Sequence, residues 1–250
     1  MCMVRRVEKY ILEKIAAEKT IHMTLIDPEK ITPAQTAIVA ENSKNSGTTA
    51  IMIGGSTFSS QEHLDVVVQT IKETVDLPTI LFPNNVSGIS KHSDAIWFMS
   101  LLNSTDPYFL VGAQIQGAPL IKKFNIEPLP MGYIIVGQGG TAGIVGKANT
   151  ISYDKTNLVI AHALAGQYLG MRFIYLEGGS GVANPVPPEV ISAVKKHVDV
   201  PLIVGGGIRT REQATAAAQA GADIIVTGNL IEATGYKQRI AEIVEGIKQK

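Results

Sequence analysis

RFIYLEGGSGVANPVPPEVISAVKKHVDVPLIVGGGIRTREQATAAAQAGADIIVTGN, residues 172–229, holds three short apolar runs separated by two helical spacers. The runs are RFIYLEGG from Arg172, PLIVGGG from Pro201 and DIIVTGN from Asp223; the spacers read as helices over Pro188 to His197 and Arg211 to Ala220. None of the runs alternates apolar with polar residues, as a sheet with one wet face would. They are apolar throughout, the pattern of parallel strands covered on both faces, and parallel pairing needs crossover helices.

Outward from this stretch the same unit recurs. IHMTLID from Ile21, AIMIGG from Ala50, TILFPN from Thr79, AIWFMSLLN from Ala95 and GYIIVG from Gly132 bring the strands to eight. Further helices read over Pro33 to Lys44, Gln61 to Val75 and Thr156 to Leu169, and Ile240, Ile243, Val244 and Ile247 make the stripe of a closing one. Eight strands alternating with helices in most gaps over 250 residues match a single (β/α)8 barrel domain spanning 1–250; an open doubly wound sheet has fewer strands and a glycine fingerprint after its first. Val4, Val7, Ile11 and Ile15 add an amphipathic N-terminal helix.

One spacer departs from the rule. Between the third and fourth runs only NVSGISKHS intervenes, with no helical stripe, so a loop replaces the third helix and uncovers a strip of barrel wall. Such a strip serves as an oligomer contact or as a groove for a long apolar ligand. Gly137 to Ser152, rich in Gly, Ala and Thr, reads as the loop after strand five.

Composition narrows the function. The 22 basic and 22 acidic residues cancel, and no long-range field draws the chain to nucleic acid or an anionic membrane. One cysteine makes no internal disulfide and no thiolate metal cluster, leaving any metal to oxygen ligands. The first residues do not form a secretory signal, and no window reaches the roughly 18 apolar residues of a spanning helix. A cytoplasmic protein without a stable membrane anchor is expected, and low charge with exposed barrel wall favours a homo-oligomer.

Barrels of this type place their sites at the C-terminal strand ends. Strand seven ends in Gly205, Gly206 and Gly207, and strand eight in Gly228 and Asn229, so backbone N–H groups can approach a phosphate; tight turns alone are the competing explanation. Strand six ends in YLEGGSG, with Tyr175 and Glu177 on one side of the strand facing the mouth. Glu177 is placed to accept hydrogen bonds from substrate hydroxyls or to take a proton, unless it only caps the next helix. Asp27 closes strand one and Ser56 follows strand two; carboxylate plus hydroxyl suits Mg2+, although Asp-Pro is also a helix-start signal. Asn84 and Asn85 read as a turn. His22, His63, His92, His162 and His197 lack spaced carboxylates and read as structural or surface residues, and there is no GxSxG elbow.

Six blocks, HMTLIDPEK (22–30), IGGS (53–56), WFMSLLNS (97–104), YLEGGSG (175–181), VGGGIRT (204–210) and VTGN (226–229), resemble the geranylgeranylglyceryl phosphate synthase family over nearly the whole chain. The resemblance implies a Mg2+-dependent prenyltransferase on a barrel lacking its third helix. It would join sn-glycerol 1-phosphate to geranylgeranyl diphosphate, making the first ether bond of archaeal membrane lipids. Carried over by motif, the glycerol-phosphate site falls on Tyr175, Leu176, Glu177, Gly178, Gly179, Ser180 and Gly181. Phosphate falls on Gly206, Gly207, Gly228 and Asn229, and magnesium on Asp27 and Ser56. Trp97 falls where a bulky aromatic limits the prenyl chain to C20, with core packing as the alternative. The competing readings are another phosphate-binding barrel (a phosphosugar isomerase or a thiamin-phosphate-synthase-like enzyme), a longer-chain prenylglyceryl phosphate synthase, or a non-catalytic phosphometabolite binder.

Overall fold

Strands β1 (Ile21–Ile26), β2 (Ala50–Ile53), β3 (Thr79–Leu81), β4 (Ala95–Leu101), β5 (Glu127–Gly139), β6 (Phe173–Ser180), β7 (Leu202–Gly205) and β8 (Ile224–Thr227) pair in chain order into a closed barrel. All eight contacts are parallel, and the ring closes where Ile21 lies beside Ile224. This computed structural model describes residues 6–55, 60–228 and 235–248. Alternate residues fill the lumen: Ile21, Met23, Met52, Ile80, Trp97, Leu129, Met131, Phe173 and Ile203 form one cluster. Their neighbours in sequence turn outward, with Ile51, Ile53, Leu81 and Ile96 in a second cluster and Ile134, Ile174, Leu176, Val204 and Ile225 in a third. Burial on both faces explains why the runs are apolar without alternation.

Helices α1 (Arg6–Glu18), α2 (Pro33–Asn45), α3 (Gln61–Thr74), α4 (Ala113–Phe124), α5 (Gly140–Val145), α6 (Thr156–Tyr168), α7 (Pro188–Lys195), α8 (Arg211–Gln219) and α9 (Tyr236–Lys248) complete the described elements. Local chemistry sets several starts: Thr32 with Gln35 and Thr210 with Gln213 form capping boxes at α2 and α8. α1 closes the bottom of the barrel, where Val7 and Ile11 join the lumen cluster and the Glu127 carboxylate accepts from the N–H groups of Val7 (2.7 Å) and Glu8 (2.9 Å). Val4, assigned to this stripe, lies outside the described residues.

The third helix is replaced as expected, by a loop with a single 3-10 turn at Val86–Gly88. Two expectations need correction. The sequence reading assigns no helix between the fourth and fifth runs, yet a π-helical turn (Tyr108–Gly112) leads into α4 there. Gly112, Gly117 and Pro119 interrupt the periodic signal, and contact with the barrel wall outweighs their low helix propensity. The stretch from Gly137 is not all loop either: β5 continues to Gly139 and α5 follows, entered through Gly139 and Gly140 at φ 70° and 52°.

Candidate functional site

At the C-terminal mouth a cavity of about 810 Å³ runs from the end of β6 across the lumen to the wall left bare by the missing helix. Its polar end is lined by Glu177, Ser180 and Gly228, its middle by Tyr133, Phe82, Gly54, Gly55 and Asp27, and its far end by Ile89, Ile96, Phe98, Gly117 and Ile121. Asp27, Lys30 and Glu177 are the charged side chains among the described lining residues.

Glu177 is buried in the ring of strand ends. Its Oε1 accepts from the N–H of Gly179 at 2.7 Å, and the hydroxyls of Tyr133 and Tyr175 donate to the same carboxylate. Burial raises its pKa above the usual carboxylate value, while those three donors pull it back. The neighbouring phenols are pushed well up, first by burial and then by the charge of Glu177, so they remain donors. A carboxylate held this way, with its neighbours fixed as O–H donors, is arranged to accept a proton.

The glycines around it are sterically required. Gly206 has φ 84°, and a Cβ there would strike the Glu177 carboxylate and the backbone of Gly179; Gly179 itself has φ 116°. The ends of β6 and β7 therefore close on each other with bare backbone, which is more than a turn requires. Arg209 clamps the adjacent loop, donating to the carbonyl oxygens of Val182 (2.6 Å) and Ala183 (3.2 Å), and places a positive charge beside the glycine-rich ends of β6 and β7.

Opposite, Asp27 caps a 3-10 turn, with Oδ1 accepting from Glu29 N–H at 3.1 Å and Oδ2 3.9 Å from Lys30 Nζ. Its carboxylate rests against Gly55, where any Cβ would collide with it. The helix-start role and the cavity-lining role coexist.

The remaining assignments divide. Glu177, Ser180, Gly228, Asp27 and Trp97 line the one cavity. Tyr175 lies beneath it, with a hydroxyl that fills the space a side chain at Gly205 would need. Leu176 belongs elsewhere: its side chain faces outward into the core under the helices, so only its backbone borders the site. Ser56 and Asn229 lie outside the described residues. The indole of Trp97 turns into the lumen and meets Phe173 edge-on at 5.1 Å, while Phe98 packs on the outer wall where the groove runs. The turn reading for Asn85 holds, as its Oδ1 accepts from Ser87 N–H at 2.8 Å.

Sequence reasoning overlooked Tyr133 and Phe82. The signal for Tyr133 was present in phase: it is the one polar side chain in GYIIVG and stands directly beside Tyr175 in the strand pairing. His22 is structural as expected, fully buried with its ring nitrogens 2.9 Å from the hydroxyls of Thr48 and Thr227.

Comparison with known proteins agrees with this geometry. Residues 13–247 match the model of the PcrB family. The chain is 52% identical over 252 residues to the geranylgeranylglyceryl phosphate synthase of Thermococcus kodakarensis, covering 99% of this chain and 100% of that one. It superposes with a TM-score of 0.94, at 42% identity and full coverage of both chains, on the crystal structure of (S)-3-O-geranylgeranylglyceryl phosphate synthase from Thermoplasma acidophilum, in complex with its substrate sn-glycerol-1-phosphate. A thiamine phosphate pyrophosphorylase from Pyrococcus furiosus, at 14% identity, TM-score 0.60 and coverage of 94% of this chain and 98% of that one, shares the fold alone.

Proposed function

This chain belongs to the PcrB family, and from that membership and the geometry of its barrel mouth we propose that it is a geranylgeranylglyceryl phosphate synthase. It transfers a geranylgeranyl group from its diphosphate to the terminal hydroxyl of sn-glycerol 1-phosphate. The observation that carries the reading is one continuous cavity joining a polar end, bearing Glu177, Ser180 and Gly228, to a long apolar groove. A substrate pair with a phosphate at one end and an isoprenoid tail at the other fits that division.

The residues divide the work. Backbone N–H groups at Gly206, Gly207 and Gly228 hold the phosphate of glycerol 1-phosphate, and Asn229 is assigned to the same group by the family motif. Glu177 orients the terminal hydroxyl and accepts its proton as oxygen attacks C1 of the prenyl chain. The tail lies along Ile89, Ile96, Phe98 and Ile121, and Trp97 at the inner wall limits its length. The donor set fits magnesium: one carboxylate, packed against the bare backbone of Gly55, leaves most of the shell to water and diphosphate oxygens. Asp27 would hold the ion, with Ser56 as a second ligand. When bound it supplies positive charge to the departing diphosphate, and Lys30 adds a second cation at the same end of the cavity.

Self-association through the outer face of α6 and a cytoplasmic location belong to the same reading. The first is supported by the apolar side chains that face carries, the second by the low cysteine content.

Incubation with radiolabelled sn-glycerol 1-phosphate, Mg2+ and prenyl diphosphates of increasing length, followed by butanol extraction, tests the reading. Labelled lipid is expected with the C20 donor and is abolished by EDTA or by exchange for sn-glycerol 3-phosphate. No extracted label with any donor would refute it.

A further inference from the structure

Phe82 follows the last residue of β3, and its N–H is pinned to Ile53 O at 2.8 Å, which fixes its backbone at the barrel mouth. From there its ring reaches across the lumen. It stacks on Tyr175 with centroids 5.6 Å apart and planes 8° from parallel, and meets Tyr133 edge-on at 5.5 Å and 88°. Tyr133 and Tyr175 meet each other at 5.1 Å and 84°. The three rings form one aromatic floor. Tyr133 and Tyr175 are buried in it, whereas Phe82 is only half-buried and lines the cavity.

Phe82 and Tyr133 of this floor line the same cavity as Glu177, the carboxylate that receives the proton, and Asp27, the carboxylate beside the diphosphate. Resting on the proposed function, the reaction breaks the bond from C1 to the diphosphate oxygen, and the electron pair leaves with the diphosphate. The glycerol oxygen bonds to C1 and its proton passes to Glu177. Positive charge on the allylic carbons therefore develops in that shared cavity, between the proton acceptor and the departing diphosphate. A carboxylate placed directly under those carbons would capture them as an ester, and water would capture them as an alcohol. An aromatic face does neither, yet attracts a cation through its quadrupole, most strongly where water is excluded.

We propose that the ring of Phe82 is the surface against which the allylic cation develops, held in orientation by Tyr133 and Tyr175, and that Phe82 is thus a catalytic residue of this site. Its role is electronic as well as steric, and it keeps water from the reacting carbon. The hydroxyls of Tyr133 and Tyr175, donating to Glu177, anchor the floor to the proton acceptor, so that base and cation surface are one unit.

The test replaces Phe82 in the full chain with mono-, di- and trifluorinated phenylalanine, and reads the single-turnover rate of ether formation from geranylgeranyl diphosphate, glycerol 1-phosphate and Mg2+. Fluorine withdraws density from the ring face while scarcely changing its size. The rate is expected to fall stepwise, on the order of tenfold across the series, with the Kd for the prenyl diphosphate unchanged. Phe82→Leu, which keeps apolar bulk but has no π face, is expected to slow the step and divert part of the product to prenyl alcohol. A rate flat across the fluorinated series, with the wild-type chain turning over normally, overturns the inference and leaves Phe82 a wall of the groove. A wild-type chain that forms no ether lipid removes the functional reading itself, and this inference with it.

Discussion

Glu177 shows how one residue position is tuned by its surroundings. Burial raises its pKa, and activity needs the ionised form, so kcat/KM is expected to fall as pH drops through a value above the ordinary 4.5 of a glutamate. Glu177→Gln keeps the shape and the hydrogen bonds of an acceptor oxygen but takes no proton. Turnover should fall on the order of a hundredfold or more, while glycerol 1-phosphate binding measured by calorimetry is retained. His22 carries a different kind of information. Full burial lowers its pKa from 6.5 to about 3, so the folded state holds it neutral where the unfolded chain is protonated. Its contribution to stability is present above 6.5 and is lost as pH falls from there toward 3, at about 1.4 kcal/mol per pH unit. Urea unfolding of the wild type and of His22→Gln between these limits should show that slope only in the wild type; parallel curves would assign the acid sensitivity to other groups.

At the scale of elements, the groove exists because the β3–β4 connection is a loop, and Gly117 and Ile121 of α4 form its far side. Trp97 faces the lumen on β4 and Phe98 faces the outer wall, so the two aromatics lie on opposite faces of one strand. Trp97→Ala removes the inner bulk, and prenyl diphosphates longer than C20 are expected to become substrates in a competition assay; an unchanged chain-length preference would reject the limiting role. The missing third helix was legible because NVSGISKHS has no stripe, whereas α4 was hidden by Gly112, Gly117 and Pro119, whose cost is offset only by packing that a sequence does not display. The same limit applies within strands. A run apolar on both faces does not reveal its phase, and for that reason the sequence does not show that Trp97 faces the lumen; Leu176 entered the site only as part of the family motif, against the phase of its own strand. Tyr175 and Glu177 escaped the difficulty because polar side chains at alternate positions of one strand declare a shared face.

The molecule as a whole is a barrel closed by α1 at one end and opened by the cavity at the other. Chemistry and stability are therefore segregated: the Glu127 carboxylate anchors α1 by its backbone N–H groups, and Arg172 Nε meets Glu8 at 2.5 Å beside it, all on the face opposite Glu177. α6 departs from the usual outer helix of a barrel, which carries charge on its solvent face. Its sequence, TNLVIAHALAGQY, contains no Asp, Glu, Lys or Arg and is apolar on every side, the composition of a helix covered all round. Val159, Ala163 and Gly166 face the strands, yet Leu158 on the opposite side is exposed, and Tyr168 and Leu169 at its end are 77% and 75% exposed. A face without charge meets its own copy without like-charge repulsion, which suits an isologous contact between two copies of this chain. Light scattering is expected to give at least a dimer mass for the wild type and a monomer for the doubly substituted Leu158→Glu, Leu169→Glu chain. Both side chains are exposed in a single barrel, so the substitutions leave its core intact, and the fold of the variant can be checked by circular dichroism. Assembly that binds only the folded state also makes the wild-type Tm rise with protein concentration, and the variant should lose that dependence. A wild-type chain already at monomer mass, or a variant with unchanged mass, would assign this apolar face to something other than a second copy.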